Sequence, residues 1–515
     1  MALPGAQSLS YQWQKAHQGS WERVLDECEM FYRVAAKNKQ GGFPVTGYAS
    51  FVSSLAQTTI VDERRVETSL RKAWRMLRCM HPSLGSHMES YGQSGEFEKR
   101  VYSPFRDGAE EEEWVQSTFR VVDCDGDILE SFNNGMPLSK VPNIYLLNIA
   151  ETDRTIHTVF LQCPHDVTDG IGILQLVDQL FRNAAIADEQ GSHYVIPAYD
   201  EEWKRLSPSL RAAAAIPEPS SALLERFGEV QAQNANVYTH PQLLGLRPSV
   251  TTTPSITHRI QRVAISTSRP TTERILSRCK SVAPGVNITH IFTCALALTL
   301  SKLQPHPKET CSARYVSHSM INLRPYCHFP WNGPEHAAAA YHTVSAQALG
   351  IDVTIPGSDD TDEELNIVDE FHRIAVEVRD FYKTIRPKRP SPDDDNTDEQ
   401  VALTPLSFKA LTPPPSDPSH TSPPISETTF CPVSMSSIGN IATLVGGKHG
   451  PFELRNVWAA SEPIGAGVAL FLGCWDGRVE LAATFDRGVH EDVYLRGFLE
   501  KIVRFVCVGF EIEES

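Results

Sequence analysis

The passage that most constrains this chain is a strand-turn-helix unit centred on residues 165–170, which read His-Asp-Val-Thr-Asp-Gly. Upstream, residues 155–163 (Thr-Ile-His-Thr-Val-Phe-Leu-Gln-Cys) form a β-branched and apolar run of the kind that becomes a buried strand. Downstream, Ile171, Leu174, Val177 and Phe181 recur at helical spacing. His165 therefore stands where a strand ends, and Asp169 and Gly170 stand where a helix begins. A titratable imidazole at the mouth of such a unit is well placed for catalysis. The plainer alternative is a surface turn in which Asp169 caps the helix and His165 is solvated.

At 515 residues the chain exceeds what one core organises, which predicts two similar subdomains. Apolar content of 41% with 21% charged residues suits a soluble globular protein. The net charge of −16 argues against nucleic acid or an anionic membrane as main partner. Acidic runs at 110–113 and 359–364 are expected to be solvated loops. The first residues show no basic region followed by an apolar stretch, and no window approaches eighteen uninterrupted apolar residues. With eleven scattered cysteines and no Cys-x-x-Cys pair, the expectation is a cytoplasmic monomer with reduced thiols and no membrane span.

Along the chain, residues 1–186 are expected to form a first subdomain, 187–258 a link, and 259–515 a second subdomain. Within the first, Val66, Leu70, Ala73, Trp74 and Leu77 line one face of a helix that stops at His81-Pro-Ser-Leu84. The second opens with a strand at 260–266, a helix over 271–282 and a buried Ala/Leu-rich helix over 287–303. Residues 317–325 read as a strand delivering Arg324 to its end. A tract at 386–428, rich in Pro, Ser, Thr and Asp, is expected to be a disordered loop, since it has little apolar surface to bury. Two strands, 468–474 and 479–485, flank Trp475-Asp-Gly-Arg478, a hairpin signal, and a helix closes the chain over about 490–508.

Taken together, His81-Pro-Ser-Leu84, His165-x-x-x-Asp169-Gly170, the 287–303 helix followed by Asn322-Leu-Arg324, and the late hairpin resemble the CoA-dependent acyltransferase superfamily. That superfamily includes chloramphenicol acetyltransferases, plant BAHD enzymes and condensation domains of peptide synthetases. The likeness is strongest to fungal secondary-metabolite O-acetyltransferases of the trichothecene 15-O-acetyltransferase type. The resemblance implies an α/β (α+β) fold of two chloramphenicol-acetyltransferase-like subdomains, each a mixed sheet flanked by helices, with a tunnel between them. It further implies an acyl-CoA co-substrate, acetyl-CoA being the expected donor, a small-molecule alcohol as acceptor, and no permanently bound cofactor. One departure stands out: where BAHD enzymes carry Asp-Phe-Gly-Trp-Gly, this chain reads Arg455-Asn-Val-Trp-Ala-Ala-Ser461.

Moving an acyl group from a thioester to a hydroxyl requires a proton acceptor, oxyanion stabilisation and exclusion of water. A neutral imidazole suits the first task, and His165 is assigned as general base. Asp169, the second member of the catalytic motif, is poorly placed to be another base. The resemblance favours a carboxylate that pairs with Arg324 and holds the His165 loop in shape. Gly170 lets the backbone turn tightly beside the substrate. Oxyanion or substrate contacts are sought among Ser434, Ser436, Ser437 and Asn440, with Ser437 and Asn440 the candidates. Asp166 and Thr168 are expected to be solvated loop positions. Cys163 as a nucleophile is an alternative, with a buried core thiol the plainer reading. His157 is expected to be packed in its strand. His318, His328 and His342 lack metal-ligand spacing, and no metal site is expected.

The leading reading is therefore an acyl-CoA-dependent O-acyltransferase acting on a hydroxyl of a hydrophobic small molecule. Two others stand beside it: a condensation or cyclisation enzyme of the same fold that does not use CoA, and a non-catalytic small-molecule binding protein.

Overall fold

A computed structural model describes residues 10–513 except 17–18, 38–43, 56–59, 93–96, 124–129, 131–132, 134–139, 151–154, 251–252, 258, 306, 358–366, 389–396, 414–424 and 427–428. The run before His165 becomes the strand Thr155–Cys163, paired antiparallel on both sides, with Val45–Ser53 and with Asn143–Ala150. Residues 157–163 of this strand are all buried, the polar His157, Thr158 and Gln162 among them, as expected of a strand inside a covered sheet. The sheet has six strands, in the order Lys448–His449, Phe452–Ser461, Val45–Ser53, Thr155–Cys163, Asn143–Ala150 and Phe119–Asp123. The helices Ile60–Met80 and Gly170–Gln190 pack against each other and share one core with this sheet. Val66, Leu70, Ala73, Trp74 and Leu77 are all buried there, the face anticipated from their spacing.

A second core surrounds the helix Ile288–Lys302, which is buried on all sides as its Ala/Leu composition anticipates. Around it lie the strands Ile260–Ser266, Arg478–Asp486, Val468–Trp475 and Val433–Asn440, in that sheet order, and the three-stranded sheet Leu349–Ile355, Cys311–Ser317 and Leu243–Leu244. The hairpin is as expected. Asp476 and Gly477 both have positive φ (50° and 69°), and Trp475 pairs directly with Arg478 across the two-residue turn. The closing helix spans Asp492–Gly509.

Several elements differ from expectation. The strand Phe452–Ser461 lies far along the second half in sequence but pairs with Val45–Ser53 (Ala459 opposite Gly47), so the first sheet draws on both halves. The link at 187–258 contains an 18-residue helix, Ser221–Tyr238, whose buried Asn234 hydrogen-bonds the backbone of Ala346 and Ala348. The predicted strand at 317–325 breaks at His318-Ser319 into Cys311–Ser317 and Met320–Asn322, because Ser319 N–H turns to donate to Ser345 Oγ. The acidic residues 110–113 stand in the helix Gly108–Thr118, capped by Asp107, not in a loop, whereas 359–364 lie outside the described residues.

The tract at 386–428 is also more ordered than its composition suggests. Glu399–Ala402 and Thr404–Leu411 are helices, while 389–396, 414–424 and 427–428 lie outside the described residues. The reason is local: Val401, Leu403 and Phe408 are buried against neighbouring elements, and Pro405 falls in the first helical turn, where it is tolerated. Truncating Phe408 to Ala removes a fully buried ring, a change worth about 3–5 kcal/mol in typical cores. The expected outcome in limited proteolysis is new cleavage within 399–411 of Phe408→Ala, where the unaltered protein resists; equal resistance in both proteins contradicts this packing.

Candidate active site

The His165 loop is closed by Pro164, whose carbonyl accepts from the N–H groups of Val167 and Thr168 at 2.9 and 3.4 Å. Asp169 then ends the loop in extended backbone and caps the helix: Oδ1 accepts from Ile171 and Gly172 N–H at 3.1 and 2.9 Å. The same carboxylate receives Arg324. Nη1 donates to Oδ1 at 2.7 Å and to Oδ2 at 2.6 Å, and Tyr341 N–H adds a bond to Oδ2 at 2.8 Å. Arg324 Nη2 donates to Ala339 O at 2.8 Å. Cap and clamp, posed as alternatives by the sequence, are one arrangement. Burial pushes the Asp169 carboxyl up, but the Arg324 guanidinium and then His342 overcome this and hold it well below the usual carboxylate range.

The other polar groups of the loop are also engaged. Asp166, expected to be solvated, is buried and pairs with Arg100 (Nη2–Oδ2 2.8 Å), which in turn lies 3.2 Å from Glu29, the bidentate partner of Arg23. Thr168 is likewise buried, and its hydroxyl donates to Ala337 O at 2.7 Å. Asp166 is engaged from the strand Phe97–Tyr102, and Thr168 from the segment 337–342, whose four consecutive alanines let its backbone approach the loop closely. Gly172 shows how closely: a Cβ there would fall 2.2 Å from Ala337 O and 2.7 Å from Arg324 Nη2.

His165 is 8% exposed, so it is not a solvated surface side chain. Burial pushes its imidazole down to about 3, with His342 acting in the same direction; its own backbone, the Asp169 carboxylate and the Thr168 backbone pull weakly the other way. The ring is therefore unprotonated at neutral pH. One face stacks on Tyr32 (centroids 3.8 Å apart, planes within 7°), and His342 lies beyond at 5.4 Å. From the sequence, Tyr32 was not singled out and His342 was weighed only as a metal ligand. The available signal for His342 was its place two residues after the alanine run; Tyr32, in an ordinary amphipathic helix, carried none. Cys163 is fully buried, and burial followed by Asp166 raises its thiol far above the ordinary range, which disfavours a thiolate nucleophile. His157 is packed in its strand and bonded to Asn148 Oδ1 at 2.8 Å.

Across from the loop, the strand Val433–Asn440 bulges between Ser437 and Gly439. The intervening Ile438 reaches to 3.1 Å from where a Cβ on Gly170 would stand, so the two halves touch at Gly170. Ser437 is hydrogen-bonded to Thr289 Oγ1 at 2.8 Å, at the start of the helix Ile288–Lys302. Asn440 is exposed, and its side chain caps the following turn by accepting from Ala442 N–H. Neither has a hydrogen bond to the His165 loop among the described residues. Behind Ile438, a cavity of about 240 Å³ opens between the strands Phe452–Ser461 and Val468–Trp475, walled by Trp458, Phe471 and Trp475 and by Arg262, whose guanidinium lies 3.8 Å over the Trp458 ring.

The fold is that of the chloramphenicol-acetyltransferase-like class, in which solved condensation domains are also found. No family model matches the sequence. The chain is similar to the acetyltransferase pigO of Monascus ruber, 26% identical over 340 residues that cover 64% of this chain and 67% of that protein. It is similar also to the O-acetyltransferase pigM of Monascus ruber, 28% identical over 282 residues, covering 54% of this chain and 50% of that one. Among solved structures it matches the trichothecene 15-O-acetyltransferase TRI3 of Fusarium sporotrichioides with a TM-score of 0.76 at 15% identity, over 99% of this chain and 100% of the other. Both sequence relatives and this structural match are named as acetyltransferases.

Removing one partner of a buried ion pair strands the other, at a cost of about 3–5 kcal/mol. Asp169→Asn is expected to lower both the unfolding midpoint in urea and the turnover rate, and the Asp169→Asn/Arg324→Gln double variant to lose less than the sum of the two single variants. Strict additivity contradicts the clamp. Acid should act in the same sense. His165 at about 3, and His81, His157, His290, His336 and His490 each at about 4, bind protons more weakly folded than unfolded. Their stabilisation is complete above the unfolded value of about 6.5 and is lost as pH falls toward the folded values. Urea unfolding at a series of pH values should therefore show stability declining from about pH 6.5 downward; a flat profile to about pH 5 contradicts it.

Proposed function

We propose that this chain is an acyl-CoA-dependent O-acyltransferase, with acetyl-CoA the expected donor, that acylates a hydroxyl of a hydrophobic small molecule in secondary metabolism. The observation that carries the reading is the uncharged, buried imidazole of His165 on a loop whose other polar side chains are already engaged. In the proposed step, the acceptor hydroxyl donates its proton to His165 as its oxygen attacks the thioester carbonyl. The imidazolium so formed faces the ionised Asp169. The tetrahedral intermediate then collapses, the carbon–sulfur bond breaks, and the proton passes to the departing sulfur, giving ester and free CoA thiol. General-base catalysis of this kind contributes roughly 10²–10⁴ in rate.

Asp169, with its partner Arg324, keeps the imidazole loop in place and is not a second base. Ser437, one residue from the Ile438 contact with Gly170, is the proposed oxyanion donor, its hydroxyl oriented by Thr289. Asn440 is better explained as a cap. The cavity walled by Trp458, Phe471 and Trp475, with Arg455, Arg478 and Glu480 also in its lining, supports a ring-bearing acceptor with polar substituents, and we place the substrate passage between the two halves, where it meets the His165 loop. The name of the structural match, trichothecene 15-O-acetyltransferase, points the same way. A monomer acting in the cytoplasm completes the proposal; among the described residues no helix is long and apolar enough to cross a membrane.

The test is free-thiol release from acetyl-CoA in the presence of hydroxylated polyketides or terpenoids. His165→Ala is expected to lower release at least about 10²-fold while remaining folded, and an equally active variant removes the general-base role. No release from acetyl-CoA with any alcohol would favour condensation chemistry without CoA. Because the imidazole is held at about 3, kcat/KM should show no acid limb between about pH 8 and about pH 5. A limb near the ordinary histidine value would show that the base is solvated.

A further inference from the structure

Two groups next to the imidazole have no part in the chemistry above. Tyr32, on the helix Glu27–Lys37, lays its ring flat on His165 at 3.8 Å. Its hydroxyl is 2.7 Å from His342 Nε2. Burial raises that hydroxyl well above its ordinary value, with Cys28 and Asp169 adding to the effect, so it stays protonated and donates. His342 Nε2 is then the acceptor, and Nδ1 carries the ring hydrogen. Nδ1 points toward Asp169 Oδ2 at 3.7 Å, an electrostatic contact beyond hydrogen-bond reach. Tyr32, His342 and Asp169 thus form a connected set leading from one face of the imidazole back to the carboxylate that fixes its loop. Phe31 and Phe408 pack against this set, with His342 and Phe408 nearly edge-to-face at 86°.

We propose that Tyr32 and His342 are positioning residues for His165: the tyrosine ring, tethered by its hydroxyl to His342, holds the imidazole in one plane and shields that face from water. The inference rests on the general-base reading. A base must meet the acceptor hydroxyl within a narrow range of distance and angle, and an imidazole free to rotate about its Cβ–Cγ bond would spend part of its time misaligned. Stacking at 7° opposes that rotation, and the bond to His342 opposes sliding of the tyrosine ring in its own plane. The titratable groups facing the imidazole are Tyr32 from its helix, His342 from the strand His342–Val344, and Asp169 from its own loop; Asp166, on the same loop, is neutralised by Arg100.

The experiment compares Tyr32→Phe, Tyr32→Leu and His342→Gln with His165→Ala in the thiol-release assay. Thermal unfolding serves as the check on folding. Tyr32→Leu removes the flat face and admits water, so kcat should fall at least about 10-fold with KM for both substrates within about twofold, and the acid limb of kcat/KM should move up toward the ordinary histidine range. Tyr32→Phe, which removes only the tether, and His342→Gln, which replaces the imidazole acceptor and its contact with Asp169, should each lower kcat by a smaller factor. Wild-type kcat in a folded Tyr32→Leu variant overturns the proposal, as does a raised KM at unchanged kcat, which reports lost substrate contact. If Tyr32→Leu does not fold, Tyr32→Phe and His342→Gln decide, and wild-type kcat in both overturns it. Failure of the underlying reading is separate: there, His165→Ala itself stays active.

Discussion

The site depends on one buried ion pair, Asp169 with Arg324, whose members stand 155 residues apart in the chain. Placing two charges out of water is costly, and attraction alone compensates only when the remaining hydrogen-bonding capacity is filled. Here it is nearly filled. The carboxylate accepts from two amides at the start of its own helix and from Tyr341 N–H, while the guanidinium also donates to Ala339 O. The consequence is geometric more than energetic. The loop bearing His165 is anchored to a segment of the other half of the chain, so the imidazole takes its place only when both halves have docked.

Around that pair the loop uses its polar groups in turn. Asp166 goes to Arg100, Thr168 to Ala337 O, and Asp169 to Arg324. What remains is a single imidazole in a site dry enough to keep it uncharged, flanked by the Tyr32 ring on one side. In the proposed chemistry this ring takes the acceptor's proton, and the ionised Asp169 offsets the charge it then carries. The same burial that keeps the ring uncharged costs stability in acid.

Much of this was legible in the sequence because it is local. The strand before His165, the helix after it, the Asp476-Gly477 turn and the apolar face of Val66, Leu70, Ala73, Trp74 and Leu77 each follow from periodicity or turn chemistry within a dozen residues. What was not legible is what distance in the chain conceals. Asp166 and Thr168 read as loop polar residues because their partners, Arg100 and the Ala337 carbonyl, belong to other elements. Tyr32 and His342 share no motif and meet only in the folded protein. Composition misled at 399–411, where the flanking Pro- and Asp-rich residues mask a few apolar side chains sufficient to bury two short helices.

The strand Phe452–Ser461, inserted beside Val45–Ser53, also bears on how such a chain is made. As the polypeptide leaves the ribosome, its first sheet, laid down by Cys163, has the Val45–Ser53 edge bare and waits for about 290 further residues before that edge is paired. During translation the nascent first half thus presents an open β template, a species suited to chaperone capture. Cutting the gene at the apparent midpoint would yield a fragment permanently in that state.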